Sequence, residues 1–286
     1  MQSVIISGAN QGLGFAIAQS FVKAGAHVCI CARDAQLLAL AKEKLVALAT
    51  SKQQIIAMCA DIAMPGAFKQ VVDATISQIG YLDTLIANAG VHGAIGPVDD
   101  VDWDEWTQAI EINVKGTVLQ CRAVIQHFKE RGGGKIILLS GGGATKPMPF
   151  MSAYAASKAA VVRFGETLAQ ELLPYAIDVN CVAPGALNTR LLENVLAAGP
   201  DKAGDIAYLQ AVQQKENGGE SLELAANLCL FLASPASNGI TGRLISAKWD
   251  DWQNLPRFIK ELQSSDIYTL RRITPADRDL DLEPVT

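Results

Sequence analysis

Charged residues are sparse and nearly balanced in this sequence of 286 residues. Lys and Arg number 24 against 29 Asp and Glu, which gives a formal net charge of -5. The scattered basic residues form no face of the kind that binds nucleic acid, which excludes that class of partner. Apolar runs such as 135–139 are only as long as a strand, and the start lacks a signal-peptide pattern. We therefore expect a cytoplasmic protein that does not insert into a membrane.

Metal-binding residues are equally few. The three histidines, His27, His92 and His127, show no grouping of ligands, and the six cysteines are dispersed. Cys29 and Cys31 are close together, but alternation along a strand makes them small core residues on one face, without the spacing of a zinc or redox motif. We therefore expect no metal.

A glycine-rich turn near the start is the first positive signal. The strand-like run 4–6 leads into Gly8, Gly12 and Gly14, and a helical pattern follows over 15–24. Such glycines allow a tight turn and let a pyrophosphate approach the free N–H groups at the N-terminus of the helix. The spacing Gly-x-x-x-Gly-x-Gly lacks the Gly-Lys-Ser/Thr ending of a P-loop. The turn therefore favours dinucleotide binding.

Tyr154 and Lys158 form the second signal. Their spacing of four residues places both side chains on one face of a helix. A fixed cation beside a phenol favours the phenolate, so we expect a Tyr154 pKa below its usual value of about 10. This is acid/base chemistry suited to a carbonyl or an alcohol. The alternative is an ordinary surface pair on an amphipathic helix.

Short apolar strands alternate with helical patterns along the chain. We predict strands near 3–7, 26–32, 54–60, 82–87, 134–140, 177–182 and 242–246. We predict helices near 12–24, 35–49, 66–79, 103–130, 152–173 and 220–233. This order predicts an α/β fold, a doubly wound parallel sheet of about seven strands in a three-layer αβα sandwich. Ligands of such sheets bind beyond the carboxyl ends of the strands, where Gly8, Asn88, Ser140 and Pro184 follow strands.

Taken together, the motifs resemble those of the short-chain dehydrogenase/reductase family in its compact single-domain form. They comprise the glycine turn, Asp61, Asn88-Ala89-Gly90, Asn113, the Tyr154/Lys158 pair, Pro184-Gly185 and Thr189, in family order. The resemblance runs from about residue 3 to about residue 247. It implies a Rossmann-like fold and an NAD(P)-dependent oxidoreductase that acts on a small-molecule carbonyl or alcohol.

The resemblance also implies roles for individual residues. Tyr154 would exchange the proton, Lys158 would lower the pKa of Tyr154 and bind the nicotinamide ribose, and Asn113 would hold a helix kink and a water. The implied cofactor-binding set is Gly8, Asn10, Gln11, Gly12, Leu13, Gly14, Arg33, Asp61, Ile62, Asn88, Ala89, Gly90, Tyr154, Lys158, Pro184, Gly185 and Thr189. For Asp61 the alternative is an N-terminal cap of the next helix.

The end of the second predicted strand bears on the choice of cofactor. Relatives that prefer NAD(H) place an acid there, whereas this chain has Ala32 followed by Arg33. A guanidinium can grip a 2′-phosphate with its planar fork, so NADP(H) is preferred over NAD(H). Gln11 argues the other way, since many NADP-using relatives carry a second basic residue at that position.

Gly141 is a departure from the family. Relatives usually have a catalytic serine at this position, thirteen residues before the tyrosine. Three readings stay open. Ser140 takes the role through a shifted loop; N–H groups of the turn at Gly141 and Gly142, or Thr145, bind the substrate oxygen; or the activity has lapsed. A glycine turn that needs positive φ would suit the second reading.

The tail beyond Ser246 also departs from the family. We divide the chain into a dinucleotide-binding catalytic domain, 1–247, with a substrate lid near 187–218, and an extension, 248–286, packed on the domain or on a neighbouring subunit. Helical spacing predicts an amphipathic helix with Leu255, Phe258, Ile259 and Leu262 on one face, Asn254 as its cap and Pro256 in its first turn. Segment 268–273 would then lie against a neighbour, and the acidic stretch 277–286 would be loose.

Substrate identity is not readable from the lid. We expect Trp249, Trp252 or Arg271 to shape the pocket for a polar or anionic substrate; the alternative is that the tail covers apolar surface. Relatives pair the two long helices 103–130 and 152–173 across a two-fold axis, which implies a homodimer or homotetramer. The alternative to an enzyme is a cofactor-binding protein without turnover, such as a redox sensor or an assembly subunit.

Overall fold

Seven parallel strands form one sheet in the computed structural model, which describes residues 1–280. The strands are β1 (Ser3–Ser7), β2 (His27–Ala32), β3 (Ile55–Cys59), β4 (Thr84–Ala87), β5 (Gly134–Leu139), β6 (Ile177–Ala183) and β7 (Arg243–Ser246). Their order across the sheet is β3-β2-β1-β4-β5-β6-β7. The order reverses between β1 and β4, and the chain leaves these strands toward opposite faces. A crevice therefore opens at their carboxyl ends.

Ten α-helices lie within residues 1–280. They are α1 (Gly12–Lys23), α2 (Ala35–Leu48), α3 (Ala67–Ile79), α4 (Trp103–Ile110), α5 (Gly116–Arg131), α6 (Ser152–Leu172), α7 (Arg190–Ala203), α8 (Asp205–Asn217), α9 (Leu222–Ala233) and α10 (Ile259–Ser264). The predicted doubly wound α/β sandwich is confirmed.

Strand alternation divides the core into two layers. On β1, Val4 and Ile6 face one layer with α1, α2 and α9, whereas Ile5 faces the other with α3, α5 and α6. Phe21 fills the first layer, Phe128 fills the second, and both are fully buried. Burying one such side chain contributes about 1.5–3 kcal/mol, so the two layers clamp the sheet and fix its carboxyl edge.

The predicted continuous helix over 103–130 is interrupted. A π-helical turn, Glu111–Lys115, separates α4 from α5, with Asn113 at its centre. Such turns are rare and are frequent at functional sites. Periodicity alone gives no sign of the extra residue, because the apolar pattern continues across it.

The start of the extension forms a tighter helix than predicted. Trp252–Phe258 is a 3-10 helix that precedes α10. Leu255 and Leu262 are buried as expected, but Phe258 is half exposed. Asn254 is not the cap, since Asp251 precedes the helix and accepts a hydrogen bond from Asn254 Nδ2. Pro256 lies inside the 3-10 segment, whose three-residue repeat turns Phe258 outward.

The rest of the extension packs along β7. The N–H of Leu244 donates to the carbonyl of Tyr268, 2.8 Å away, and the N–H of Leu270 donates to the carboxylate of Glu166 on α6. Arg271 forms two hydrogen bonds of 2.8 Å with Asp277. The start of the acidic stretch is thus tied to the chain, while residues 281–286 lie outside the described residues.

No helix within residues 1–280 has the length and apolar content needed to cross a membrane.

Candidate active site

The glycine turn lies at the carboxyl end of β1. Gly8 and Gly12 have φ values of 64° and 57°. A Cβ on Gly14 would lie 2.4 Å from the carbonyl oxygen of Gly8, so this contact admits no side chain. Within residues 1–280, Gln11 precedes α1 without a side-chain cap, whereas Asp34 caps α2. The N–H groups at the start of α1 are therefore available to an anion, which fits the pyrophosphate of a dinucleotide.

Asn88 connects this turn to the end of β4. Its Nδ2 donates to the carbonyls of Ser7 and Gly8, at 2.9 and 3.1 Å. In return, the Ser7 hydroxyl accepts hydrogen bonds from the N–H groups of Asn88 and Ala89, both at 3.1 Å. These four bonds hold together the two strands on either side of the crevice.

The far rim of the crevice follows β2 and β3. Arg33 is exposed directly after the buried Ala32. Asp61 lines the crevice and accepts a hydrogen bond of 3.0 Å from the N–H of Ala63. Asp61 is not the cap of the next helix, because α3 begins only after Gly66. The carboxylate is therefore a turn residue at the rim of the crevice.

Asn113 lies behind the crevice, in the π-helical turn. Its Oδ1 accepts from the N–H of Val91 at 2.9 Å, and its Nδ2 donates to the Val91 carbonyl at 2.8 Å and to Ser157 Oγ at 2.9 Å. Asn113 thus joins the loop after β4 to α6, the helix that carries Tyr154 and Lys158.

Tyr154 and Lys158 are buried one turn apart on α6, with 8% and 6% of their surfaces exposed. Lys158 Nζ donates to the carbonyl of Leu139 at 2.8 Å and lies 5.7 Å from the centre of the Tyr154 ring. The expected lowering of the Tyr154 pKa is wrong for this geometry. Burial raises the pKa of Tyr154 to about 12 and lowers that of Lys158 to about 8, because a low-dielectric site disfavours each charged form.

Gly141 sits directly against the tyrosine hydroxyl. A Cβ at this position would lie 2.7 Å from Tyr154 Oη. The expected positive φ is wrong, because φ at Gly141 is 177°, which any residue adopts. The Ser140 hydroxyl is buried and donates to the carbonyl of Lys158, 3.4 Å away. Thr145 is exposed, and its hydroxyl is 3.5 Å from the carbonyl of Gly142.

The lid closes the crevice from above. Thr189 Cγ2 would lie 3.7 Å from a Cβ on Gly12, so the loop after β6 reaches the glycine turn. Helices α7 and α8 form an apolar cluster around the tyrosine, with Met151, Leu192 and Val195 among its buried members. The lid contains two helices that the sequence analysis did not predict. Side chains of both helices form one wall of the cleft.

One cleft of about 1210 Å³ collects the predicted residues. It is lined by Gly8, Asn10, Gln11, Gly12, Leu13, Gly14, Arg33, Asp61, Ile62, Asn88, Ala89, Gly90, Ser140, Gly141, Gly142, Thr145, Tyr154, Lys158, Pro184, Gly185, Thr189 and Trp249. Asn113 supports the cleft from behind. The volume suits a dinucleotide together with a small substrate.

Two residues of the extension lie elsewhere. Trp252 is in the core, with its ring 5.4 Å from that of Phe231, and Arg271 is paired with Asp266 and Asp277. The expectation that either shapes the pocket is wrong, because each is already held by partners within the fold. Trp249 lines the cleft and is 77% exposed.

His92 is a cleft residue to which sequence reasoning gave no role. It lies two positions after Gly90, is 7% exposed, and contacts the Tyr154 ring edge to face at 4.7 Å. Burial and the charge of Lys158 lower its pKa to about 4. Its place in the loop that follows the carboxyl end of β4 was the available signal.

Comparison with known proteins agrees with this geometry. A model of the short chain dehydrogenase family matches residues 2–199. The dehydrogenase/reductase SDR family member 4 of Homo sapiens is 30% identical over 244 residues, which are 84% of this chain and 84% of that protein. The chain belongs to the short-chain dehydrogenase/reductase family. The family prediction made from the motifs is confirmed.

Two further relatives show the same relationship. The glucose 1-dehydrogenase of Gluconobacter oxydans is 33% identical over 245 residues, 85% of this chain and 89% of that protein. The crystal structure of carveol dehydrogenase from Mycobacterium avium in complex with NAD has a TM-score of 0.76 and 26% identity, covering 86% of this chain and 95% of that one. This short-chain dehydrogenase/reductase is an NAD(P)-dependent oxidoreductase of carbonyl/alcohol pairs, as its motifs predicted.

Proposed function

We propose that this enzyme interconverts a ketone and a secondary alcohol, with Tyr154 as the acid/base and Lys158 as its charged neighbour. The observation that carries the proposal is the position of Tyr154 Oη. It lies against Gly141 on the wall of the cleft, and Lys158 is one helical turn away. A bound nicotinamide dinucleotide supplies the hydride for reduction of the carbonyl carbon.

Tyr154 supplies the proton in that direction. Its raised pKa keeps the phenol protonated at neutral pH, so the hydroxyl can donate to a carbonyl oxygen that gains charge. Lys158 is held by the Leu139 carbonyl, and its pKa of about 8 leaves it mostly charged at neutral pH. A cation there stabilises the tyrosinate that remains after proton transfer.

We propose that the glycine turn replaces the missing serine. Residues Gly142–Ala144 form a 3-10 turn, and within residues 1–280 it has no side-chain cap at Gly141. The N–H groups at its start lack acceptors within the turn and can donate to the substrate oxygen. Against the Ser140 reading stands the direction of its hydroxyl, toward the Lys158 carbonyl.

We propose NADP(H) as the preferred cofactor, with Arg33 as the group that binds the 2′-phosphate. Arg33 is exposed on the rim of the cleft, and Ala32 before it places no carboxylate there. A guanidinium at this position attracts the additional phosphate, and the neighbouring carboxylate of Asp34, which also lines the cleft, is engaged as the cap of α2 through the N–H of Leu37.

Oxidation of NADPH and of NADH across ketones, sugars and ketoacyl thioesters tests the proposal. We expect turnover with NADPH above that with NADH. We expect Tyr154→Phe to lower turnover by about 10²–10⁴, the usual contribution of a positioned acid/base group, while the dissociation constant of the cofactor stays unchanged. Full turnover in Tyr154→Phe would refute the assigned mechanism. Tight cofactor binding without turnover on any carbonyl would instead support a binding protein.

A further inference from the structure

His92 is a buried polar residue of the cleft, next to Tyr154. His92 lines the cleft, and its ring and the Tyr154 ring form a T-shaped pair with an interplanar angle of 85°. It is 93% buried, since only 7% of its surface is exposed. A polar side chain buried to this degree normally has hydrogen-bond partners.

The backbone around His92 is fixed on both sides. Val91 before it exchanges two hydrogen bonds with the Asn113 amide, at 2.9 and 2.8 Å. Gly93 after it has a φ of 71° and passes so close to α4 that a Cβ would lie 2.5 Å from the Ala109 side chain. His92 is therefore held at a set position beside Tyr154, as a binding group must be.

The Nδ1 atom of His92 has no hydrogen-bond partner within residues 1–280. Leaving such a group unpaired costs about 1–3 kcal/mol. The lowered pKa keeps the ring neutral at physiological pH, with one donor and one acceptor nitrogen. His92 lines the cleft, so a polar atom of a bound substrate can supply the missing hydrogen bond. A polar group that binds Nδ1 would remove this cost.

This step rests on the proposed function. In that mechanism the reacting oxygen of the substrate does not bind the unpaired nitrogen of His92. A carbonyl oxygen has two lone pairs. The Tyr154 hydroxyl takes one, and the N–H groups of the turn at Gly141 take the other. The centre of the His92 ring lies 4.7 Å from the centre of the Tyr154 ring, so the imidazole is close enough to bind an atom of the substrate that neighbours the reacting oxygen.

We infer that His92 binds a second oxygen of the substrate, on the carbon next to the reacting one. The enzyme then selects α-hydroxy ketones in reduction and vicinal diols in oxidation. The apolar side chains that line the cleft beside Tyr154, Met151, Leu192 and Val195, suit the carbon skeleton of such a substrate. A buried hydrogen-bonding group discriminates strongly against an analogue that leaves it unpaired.

A matched pair of ketones tests this inference. Acetoin carries a hydroxyl next to its carbonyl, and methyl isopropyl ketone has a methyl group in its place. The measurement is the ratio of kcat/KM for the two ketones in the wild type, His92→Phe and His92→Asn. His92→Phe keeps the aromatic contact with Tyr154, and His92→Asn keeps a polar group. Intrinsic reactivity of the ketones cancels when the ratios of two proteins are compared.

We expect the ratio to be about tenfold or more higher in the wild type than in His92→Phe, the size of one lost buried hydrogen bond. His92→Asn should retain part of the preference. A structural role for His92 would lower both activities together and leave the ratio unchanged, which would overturn the inference. If His92→Phe does not fold, His92→Leu takes its place in the comparison.

Turnover by the wild-type protein distinguishes a failure of the role of His92 from a failure of the proposed function. Turnover of other carbonyls with no preference for acetoin would overturn the role of His92 and leave the proposed function intact. Absence of turnover on every carbonyl would overturn the proposed function and this inference with it. The cofactor dissociation constant, equal in all three proteins, shows that any change arises on the substrate side.

Discussion

The two ends of the cleft are built on opposite principles. At the dinucleotide end, Asn88 and Ser7 satisfy each other and the surrounding backbone through four hydrogen bonds. At the substrate end, Tyr154, Lys158 and His92 are buried with pKa values shifted against their charged forms. His92 even has an unpaired nitrogen within residues 1–280.

This difference separates a rigid frame from a reactive surface. A frame that holds a large cofactor gains from closed hydrogen bonds and from backbone contacts that admit no side chain. Burial shifts the pKa of a reacting group toward the value that its reaction needs. The same burial lowers the stability of the fold. We therefore expect substitutions at the dinucleotide end to lower the stability of the fold, and substitutions at the substrate end to lower turnover.

Gly14→Ala should produce the largest effect, because it breaks the frame. The new Cβ would meet the Gly8 carbonyl at 2.4 Å and Asn88 Nδ2 at 2.5 Å. Overpacking costs about 1–3 kcal/mol where side chains can move, and a backbone oxygen cannot, so we expect a loss above about 3 kcal/mol. Denaturant unfolding and cofactor titration measure the effect.

Gly66→Ala provides a comparison in which the added methyl group meets no clash. Gly66 has a φ of 84°, and in the described part of the chain a Cβ there would meet open space. This variant isolates the backbone cost of a left-handed residue, about 1–2 kcal/mol. A Gly14→Ala protein as stable as Gly66→Ala would contradict the account of a frame without room for side chains.

The second-largest effect should be a loss of stability of the folded protein in acid, caused by His92. The pKa of His92 is about 4 in the folded chain and 6.5 in the unfolded chain. Between these values the unfolded chain binds the extra proton, so stability is lost as pH falls from about 6.5 to 4, by up to about 3 kcal/mol. The free energy of unfolding of the wild type and of His92→Phe, measured from pH 7 to 4, checks this.

His92→Phe removes this contribution and keeps the others. His27 and His127 also have pKa values lowered by burial, and burial raises that of Asp250, but all three remain in the variant. The difference between the two curves therefore belongs to His92. Parallel curves from pH 7 to pH 4 would show that its ring is not buried in the neutral form.

The frame was predictable from the sequence, and the reactive surface only in part. The glycine spacing predicts the turn before the first helix, and the alternation of short apolar strands with helices predicts a sheet covered on both faces. The pKa of Tyr154 was predicted in the wrong direction, because spacing reports that Lys158 is near and not how deeply both are buried. The family resemblance implied a helix kink at Asn113, but the sequence did not indicate that the kink is the π-helical turn Glu111–Lys115.

Gly141→Ser changes the residue that lies against the tyrosine hydroxyl. The added Cβ would lie 2.7 Å from Tyr154 Oη, so the family's usual serine should displace the tyrosine rather than help it. We expect a loss of about tenfold or more in kcat, part of the 10²–10³ that a lost oxyanion donor costs. Ser140→Ala should cost less than about tenfold, because its hydroxyl faces the Lys158 carbonyl.

Kinetics of these two variants on one accepted ketone separate the readings of this position. A large loss from Ser140→Ala would return the role to Ser140. Turnover by Gly141→Ser where the wild type shows none would mean that the activity of the wild type has lapsed. Cofactor binding should be equal to wild type in both variants, since neither position belongs to the dinucleotide end.

Trp249→Ala should have the smallest effect, at the exposed rim where neither principle applies. Trp249 is 77% exposed, and Lys248 Nζ, paired with Glu220, lies 4.3 Å from its ring centre. Exposed substitutions change stability by less than about 0.5 kcal/mol, so we expect an unchanged Tm and a change in KM of about two- to fivefold. Trp103→Ala is the control, because Trp103 is 68% exposed and stacks on Trp106 at 5.1 Å. A KM unchanged in Trp249→Ala, as in Trp103→Ala, would place the rim outside the substrate site and confine selection to the buried wall around His92.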